Sequence, residues 1–270
     1  MARILSTVAL VCVGGAMLAA CGESQPSSAP ASQSAPASAP APTDTADSSR
    51  RSPEAKADGP GTIIGAVTFA GTAPKPRPLP MDSDPLCVAE PGATSELLVV
   101  GPGNGIKNVF VYVKDGLGAR RYAVPAAPVL LDQKGCRYIP HVFGVQAGQT
   151  ILVSNSDPLI HNVHAMPKNN REFNFGQPAK TPPVTRVFEQ AEIGLPFKCD
   201  VHGWMNAYVN VVSHPFFAVT KDDGSFEIKG LPAGSYTLEL WHERLGTQTV
   251  PVTVDAAAPA KVSASFKPAS

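Results

Sequence analysis

The sequence predicts an all-β protein, a Greek-key β-sandwich followed by a smaller β-sandwich segment. Two observations carry that prediction. Short β-branched or aromatic runs recur between Gly and Pro breaks, and stretches with helical amphipathic spacing are few. Strands at such intervals suit sandwich architecture. The charge balance, 22 Lys and Arg against 22 Asp and Glu, leaves no basic footprint for nucleic acid.

The elements follow in chain order. Residues 1–20 carry one basic residue, Arg3, then an apolar run too short for an ordinary membrane span, as expected of a signal peptide. Leu18-Ala19-Ala20-Cys21 resembles the lipobox of bacterial lipoproteins. The resemblance implies that Cys21 carries a lipid. With Gly22 rather than Asp next, it also implies an address on the periplasmic face of the outer membrane. Residues 21–60, almost wholly Ala, Ser, Pro and Thr, have nothing to bury and are expected to form a disordered tether.

Residues 61–213 are expected to form the main sandwich, with extra strands at its start. TIIGAVTF (62–69), ELLVV (96–100), NVFVYV (108–113), TILVS (150–154), VTRVFE (184–189) and YVNVV (208–212) are its strand runs. Residues 214–270 hold the smaller segment, with SFEI (225–228), SYTLEL (235–240), TVPVTV (249–254) and KVSASF (261–266). Asp222-Asp223-Gly224 and the Gly230–Gly234 stretch mark its tight turns.

Once Cys12 leaves with the signal peptide and Cys21 is lipidated, Cys87, Cys136 and Cys199 remain in a compartment that favours disulfides. An odd count leaves one thiol over. If Cys87 pairs with Cys136, the disulfide expected here, Cys199 is free. The other pairings stay open, and they would use up the Cys nearest a His and a Met.

Cys199, His202 and Met205 fall three residues apart in FKCDVHGWMNAYVNVV (197–212). Structural zinc usually asks for four Cys or His ligands in spaced pairs, and haem attachment for a second Cys; neither is present. One thiolate, two imidazoles and a weak thioether describe a blue-copper site instead. The second imidazole must come from upstream, and SNSDPLIHNVHAMP (154–167) offers His161 and His164. On a strand these two face opposite ways, so one ion takes one of them; a loop would relax that rule.

HNVH followed some forty residues on by C-x-x-H-x-x-M resembles amicyanin, in the cupredoxin family that includes plastocyanin. The resemblance spans roughly residues 137–212 and implies one type 1 copper per chain. His161, Cys199, His202 and Met205 are the ligands it implies, with Asn162 tying the two ligand loops together. It also implies that His202 lies at an exposed end, as the electron's exit. The loop departs from the family pattern in having Val201 and Gly203, not Pro, beside His202. Trp204 matches a family aromatic. His141, His164, His214 and His242 are expected in supporting or structural places, and Met166 in packing. In the C-terminal third, G-x-F-x-I-x-x-LPAG-x-Y-x-L resembles the carboxypeptidase-regulatory-like, transthyretin-type module.

The function expected is a lipid-anchored copper protein that passes single electrons between redox partner proteins. The alternatives are a copper-free envelope scaffold with Cys199 in a disulfide, or copper delivery or storage. An enzyme is not expected. Six His without an H-x-H pair cannot build the extra clusters of multicopper oxidases or copper nitrite reductases, and no catalytic triad spacing stands out.

Overall fold

The alternating runs become strands wherever their apolar side chains can face a second sheet. The computed structural model describes residue 55 and residues 57–81, 84–88 and 92–268. The expected signal peptide, Cys21 and all but the end of the tether lie outside the described residues. The strands are β1 (Gly61–Phe69), β2 (Phe110–Asp115), β3 (Val129–Gln133), β4 (Tyr138–Ile139), β5 (Val142–Gln146), β6 (Thr150–Asn155), β7 (His161–Ala165) and β8 (Phe173–Gln177). They continue with β9 (Val184–Val187), β10 (Glu192–Lys198), β11 (Asn206–Val212), β12 (Phe217–Val219), β13 (Ser225–Leu231), β14 (Gly234–His242), β15 (Gly246–Val254) and β16 (Ala260–Phe266). A short α-helix, α1 (Pro85–Val88), and a 3-10 turn at Pro102–Asn104 precede β2.

Two sandwiches result. In the first, the sheet β5-β11-β10-β7-β8 faces the sheet β4-β3-β6-β9. Its core includes Leu131, Val153, Val163, Phe188, Leu195, Phe197 and Val209. β6 and β7 alternate buried and half-buried side chains along their length, the period of a strand with one face on the core. Phe173 stacks on Phe188 and meets Phe197 edge-on, so Phe197→Ala would cost about 3–5 kcal/mol.

The second sandwich joins the sheet β13-β1-β16 to the sheet β12-β2-β14-β15. The boundary expected at residue 213 is therefore not where the pairing divides. β1 lies between β13 and β16, and β2 between β12 and β14, although both precede the first sandwich in sequence. The reason is apolar surface. Leu238, Leu240, Ile228 and Val262 of the last strands find their partners in Ile63, Val67, Val111 and Val113 of β1 and β2. The first sandwich is thus an insertion within the second.

ELLVV does not become a strand. The turn at Gly101–Gly105 folds it back so that Val100 makes one isolated bridge to Ile106, while Leu98 and Val100 pack on the second core. Where the sandwiches meet, β5 is buried on both faces. Gly144 permits this: a Cβ there would lie 2.5 Å from the Phe110 ring and 2.6 Å from Phe217. Among the described residues, no helix is long and apolar enough to cross a membrane.

Candidate metal centre

Two connections at one end of the first sandwich supply the site. The β6–β7 turn is held by Asn155, whose Nδ2 donates to the carbonyls of Leu159 and Gln177 at 2.8 Å and whose Oδ1 accepts the Asp157 amide. This shapes Ser156–Ile160 so that β7 begins with His161 facing inward. In the second connection, β10 ends just before Cys199. The Cys199 amide donates to the Met205 carbonyl at 3.1 Å, and the Met205 amide to the His202 carbonyl at 2.9 Å. Cys199 to Met205 is thereby closed into a small loop with the side chains of Cys199 and His202 turned toward His161.

The donors converge. His161 Nδ1 lies 3.0 Å from His202 Nδ1, and Cys199 Sγ lies 3.7 Å from His202 Nδ1. Around a metal with nitrogen at about 2.0 Å and sulfur at about 2.3 Å, donor atoms stand roughly 3.3–3.8 Å apart. The three side chains are 0%, 3% and 2% exposed, in the order His161, Cys199, His202, and Met205 is 1% exposed on the same loop. A buried thiolate with two imidazole nitrogens beside a thioether residue is a donor set that suits copper. The residues present fit the ion.

Both imidazoles are oriented from behind by carboxylates. His161 Nε2 lies 2.8 Å from Asp157 Oδ2, and His202 Nε2 lies 3.3 Å from Asp84 Oδ2. A carboxylate at the far nitrogen holds the proton there and leaves Nδ1 free to ligate. Asp157 also accepts the amides of Gly135 and Cys136, at 2.7 and 2.8 Å. Burial pushes the Asp157 carboxyl up, but His161 and those amides outweigh it and hold it below the usual range. Burial likewise pushes the Cys199 thiol up. His161 and the amides of Asn162, His202 and Val201 bring it down to about 6, so the sulfur favours thiolate. Burial lowers His161, while Asp157 and Cys199 raise it to about 9.

Asn162 ties the loops: its Oδ1 accepts the Asp200 amide at 3.0 Å, and its own amide donates to Cys199 Sγ at 3.4 Å. His164 points out of the opposite face of β7 and bonds Asp200 and Glu172, so the structure does not bring it to the site. His141 pairs with Glu243 of the other sandwich, and His214 and His242 bond backbone groups. Cys87 and Cys136 are joined, and Cys199 is free. Met166 is half-buried on the loop after β7.

One expectation is overturned. His202 does not lie at an exposed end, because Asp84 and α1 sit against its outer nitrogen. The Cys87–Cys136 disulfide pins that segment, and the Trp204 ring covers His202 from another side, 5.1 Å between centroids. Trp204 is itself held by a 3.0 Å hydrogen bond to the Cys136 carbonyl. Sequence reasoning missed both carboxylates. Asp157 had a signal, lying four residues before His161; Asp84, 118 residues from His202, had none.

Comparison with known proteins gives matches to parts of the chain. Residues 201–268 match the family model of the ER membrane protein complex subunit 7 β-sandwich domain. That match replaces the carboxypeptidase-regulatory-like module expected for the C-terminal segment. No curated protein matches. Among solved structures, a Cu-containing nitrite reductase from Thermus scotoductus SA-01 is 18% identical over 37% of this chain, with a TM-score of 0.31. This chain spans 25% of that enzyme's length. A variant of amicyanin in its oxidized state is 21% identical over 31% of this chain and 81% of its own, with a TM-score of 0.28. A purple cupredoxin from Nitrosopumilus maritimus is 23% identical over 32% of this chain and 98% of its own, with a TM-score of 0.26.

Proposed function

We propose that the protein holds one copper ion between His161 Nδ1, His202 Nδ1 and Cys199 Sγ, with Met205 as a weak fourth ligand, and carries single electrons between redox partner proteins. The observation that supports this most is the convergence of two imidazole nitrogens and a free, buried cysteine sulfur within 4.8 Å of one another. Copper bound there supplies a one-electron couple. The chain's own part is to keep the donors in place in either oxidation state. Asp157 and Asp84 fix the imidazoles, the amides of Asn162 and His202 steady the sulfur at 3.4 Å each, and the surrounding apolar core excludes water. A site shaped in advance changes little when an electron arrives or leaves. The closed surface over His202 disfavours the delivery reading, which needs easy release. The free Cys199 removes the disulfide premise of the scaffold reading.

Cu(II) added to the metal-free protein is expected to bind one per chain and give an intense blue colour from thiolate-to-copper charge transfer. Cys199→Ser abolishes the colour, His161→Ala weakens or bleaches it, and His164→Ala leaves it largely intact. Reversible one-electron cycling separates electron transfer from storage. A colourless complex, or binding that survives loss of Cys199, would sink the reading. The lipidation of Cys21 and the periplasmic, membrane-anchored location belong to the same proposal. Cys21→Ala should release the protein to the soluble fraction, and retention on the membrane would count against the anchor.

A further inference from the structure

Beside the metal centre lies a cavity of about 380 Å³ that shares only Met205 with the proposed copper site. Its floor is the ligand loop at Gly203–Asn206, including Trp204 and Met205, and its walls come from Arg77–Pro80, Thr94–Glu96 and Arg137–Tyr138. The volume falls within the range of small-ligand sites, roughly 300–1,000 Å³. Leu79, Pro80 and the Trp204 ring give the lining its apolar part. Arg137 also lines this space, with its Nε closed off from solvent and without a hydrogen-bond partner. Among the described residues its guanidinium makes no ion pair.

We infer that this cavity binds a small organic monocarboxylate, with its carboxylate on the Arg137 guanidinium and its apolar body against Leu79, Pro80 and Trp204. A guanidinium presents a planar donor fork that matches a carboxylate with two parallel hydrogen bonds. Charge sets the valence. Among the described residues of the lining, Arg77 and Arg137 stand with one carboxylate, Glu96, and His141 is already paired with Glu243. The surplus of one positive charge accepts a monoanion, while Glu96 repels a dianion. Apolar walls beside the fork select an organic acid over an inorganic ion. The inference does not depend on copper, although an occupant would touch the loop that carries His202 and Met205.

The test uses the full chain, metal-free, in a Trp241→Phe background so that Trp204 reports alone. Benzoate is titrated with calorimetry and tryptophan emission as readouts, against benzyl alcohol and inorganic phosphate. Benzoate should bind saturably, and neither control should. Arg137→Gln should weaken benzoate at least tenfold without changing the melting temperature appreciably. Thr94→Phe, which fills the cavity from the facing wall, should abolish binding even if the Arg137 variant folds poorly. No saturable benzoate binding at tens of millimolar overturns the inference, as does equal binding by benzyl alcohol or by either variant.

Discussion

Replacing Asp157 with Ala separates the orientation of a ligand from the support of the loop around it. The residue is buried and its carboxylate gathers three donors: the Gly135 amide at 2.7 Å, the Cys136 amide at 2.8 Å and His161 Nε2 at 2.8 Å. Truncation strands two backbone N–H groups, each costing about 1–3 kcal/mol, so stability should fall by about 2–6 kcal/mol. It also frees the His161 ring to rotate and to move its proton to Nδ1. Loss of such a partner behind a ligating His typically lowers metal affinity about 10–100-fold. Asp157→Asn should fall between the two. Its one oxygen, turned toward Cys136 and His161, leaves only the Gly135 amide opposed by the new NH₂. Urea unfolding of the metal-free protein under non-reducing conditions measures the first effect, and chelator competition for Cu(II) measures the second. Asp157→Ala with copper affinity within twofold of the parent would refute the orienting role, whatever happens to stability.

Three further outcomes follow from the same geometry. Replacing both Cys87 and Cys136 with Ser opens a crosslink between residues 49 apart, which should cost about 4 kcal/mol by chain entropy. It should also speed copper exchange, because the segment carrying Asp84 is released from His202; exchange no faster than the parent's would show that this segment does not close the site. Asp84→Ala removes the acceptor of the Leu86 amide and should cost about 1 kcal/mol of stability, while raising copper exchange on its own. Burial, helped by the nearby His141 and Arg244 charges, lowers His242 to about 4. The unfolded His titrates near 6.5, so His242 contributes stability above that pH and loses it as pH falls toward 4. The contribution is on the order of 3 kcal/mol. His242→Asn keeps an acceptor for the Arg244 and Leu245 amides but cannot take the proton, so chemical denaturation between pH 7 and 4 should show a flatter acid limb.

What the sequence determined by itself is local. Alternation along TILVS, SYTLEL and KVSASF is written in neighbouring residues, and a strand with one buried face needs little else. The convergence of His161, Cys199 and His202 was likewise readable, because the C-x-x-H-x-x-M spacing sits in one short loop. The tertiary structure decided everything that joins distant stretches. ELLVV has strand composition, yet a turn leaves it a single bridge. β2 read as an addition to the first sandwich but completes the second, since a strand's composition states that it must pair and not with which partner. Whether His202 faces water depended on Asp84, 118 residues away and carried there by a disulfide. Composition sets which side chains can donate, but burial and the proton on each imidazole arise only when separate segments close on one another. For that reason the side chains that converge could be read from the chain, while the shielding of the site and the unpaired guanidinium beside it could not.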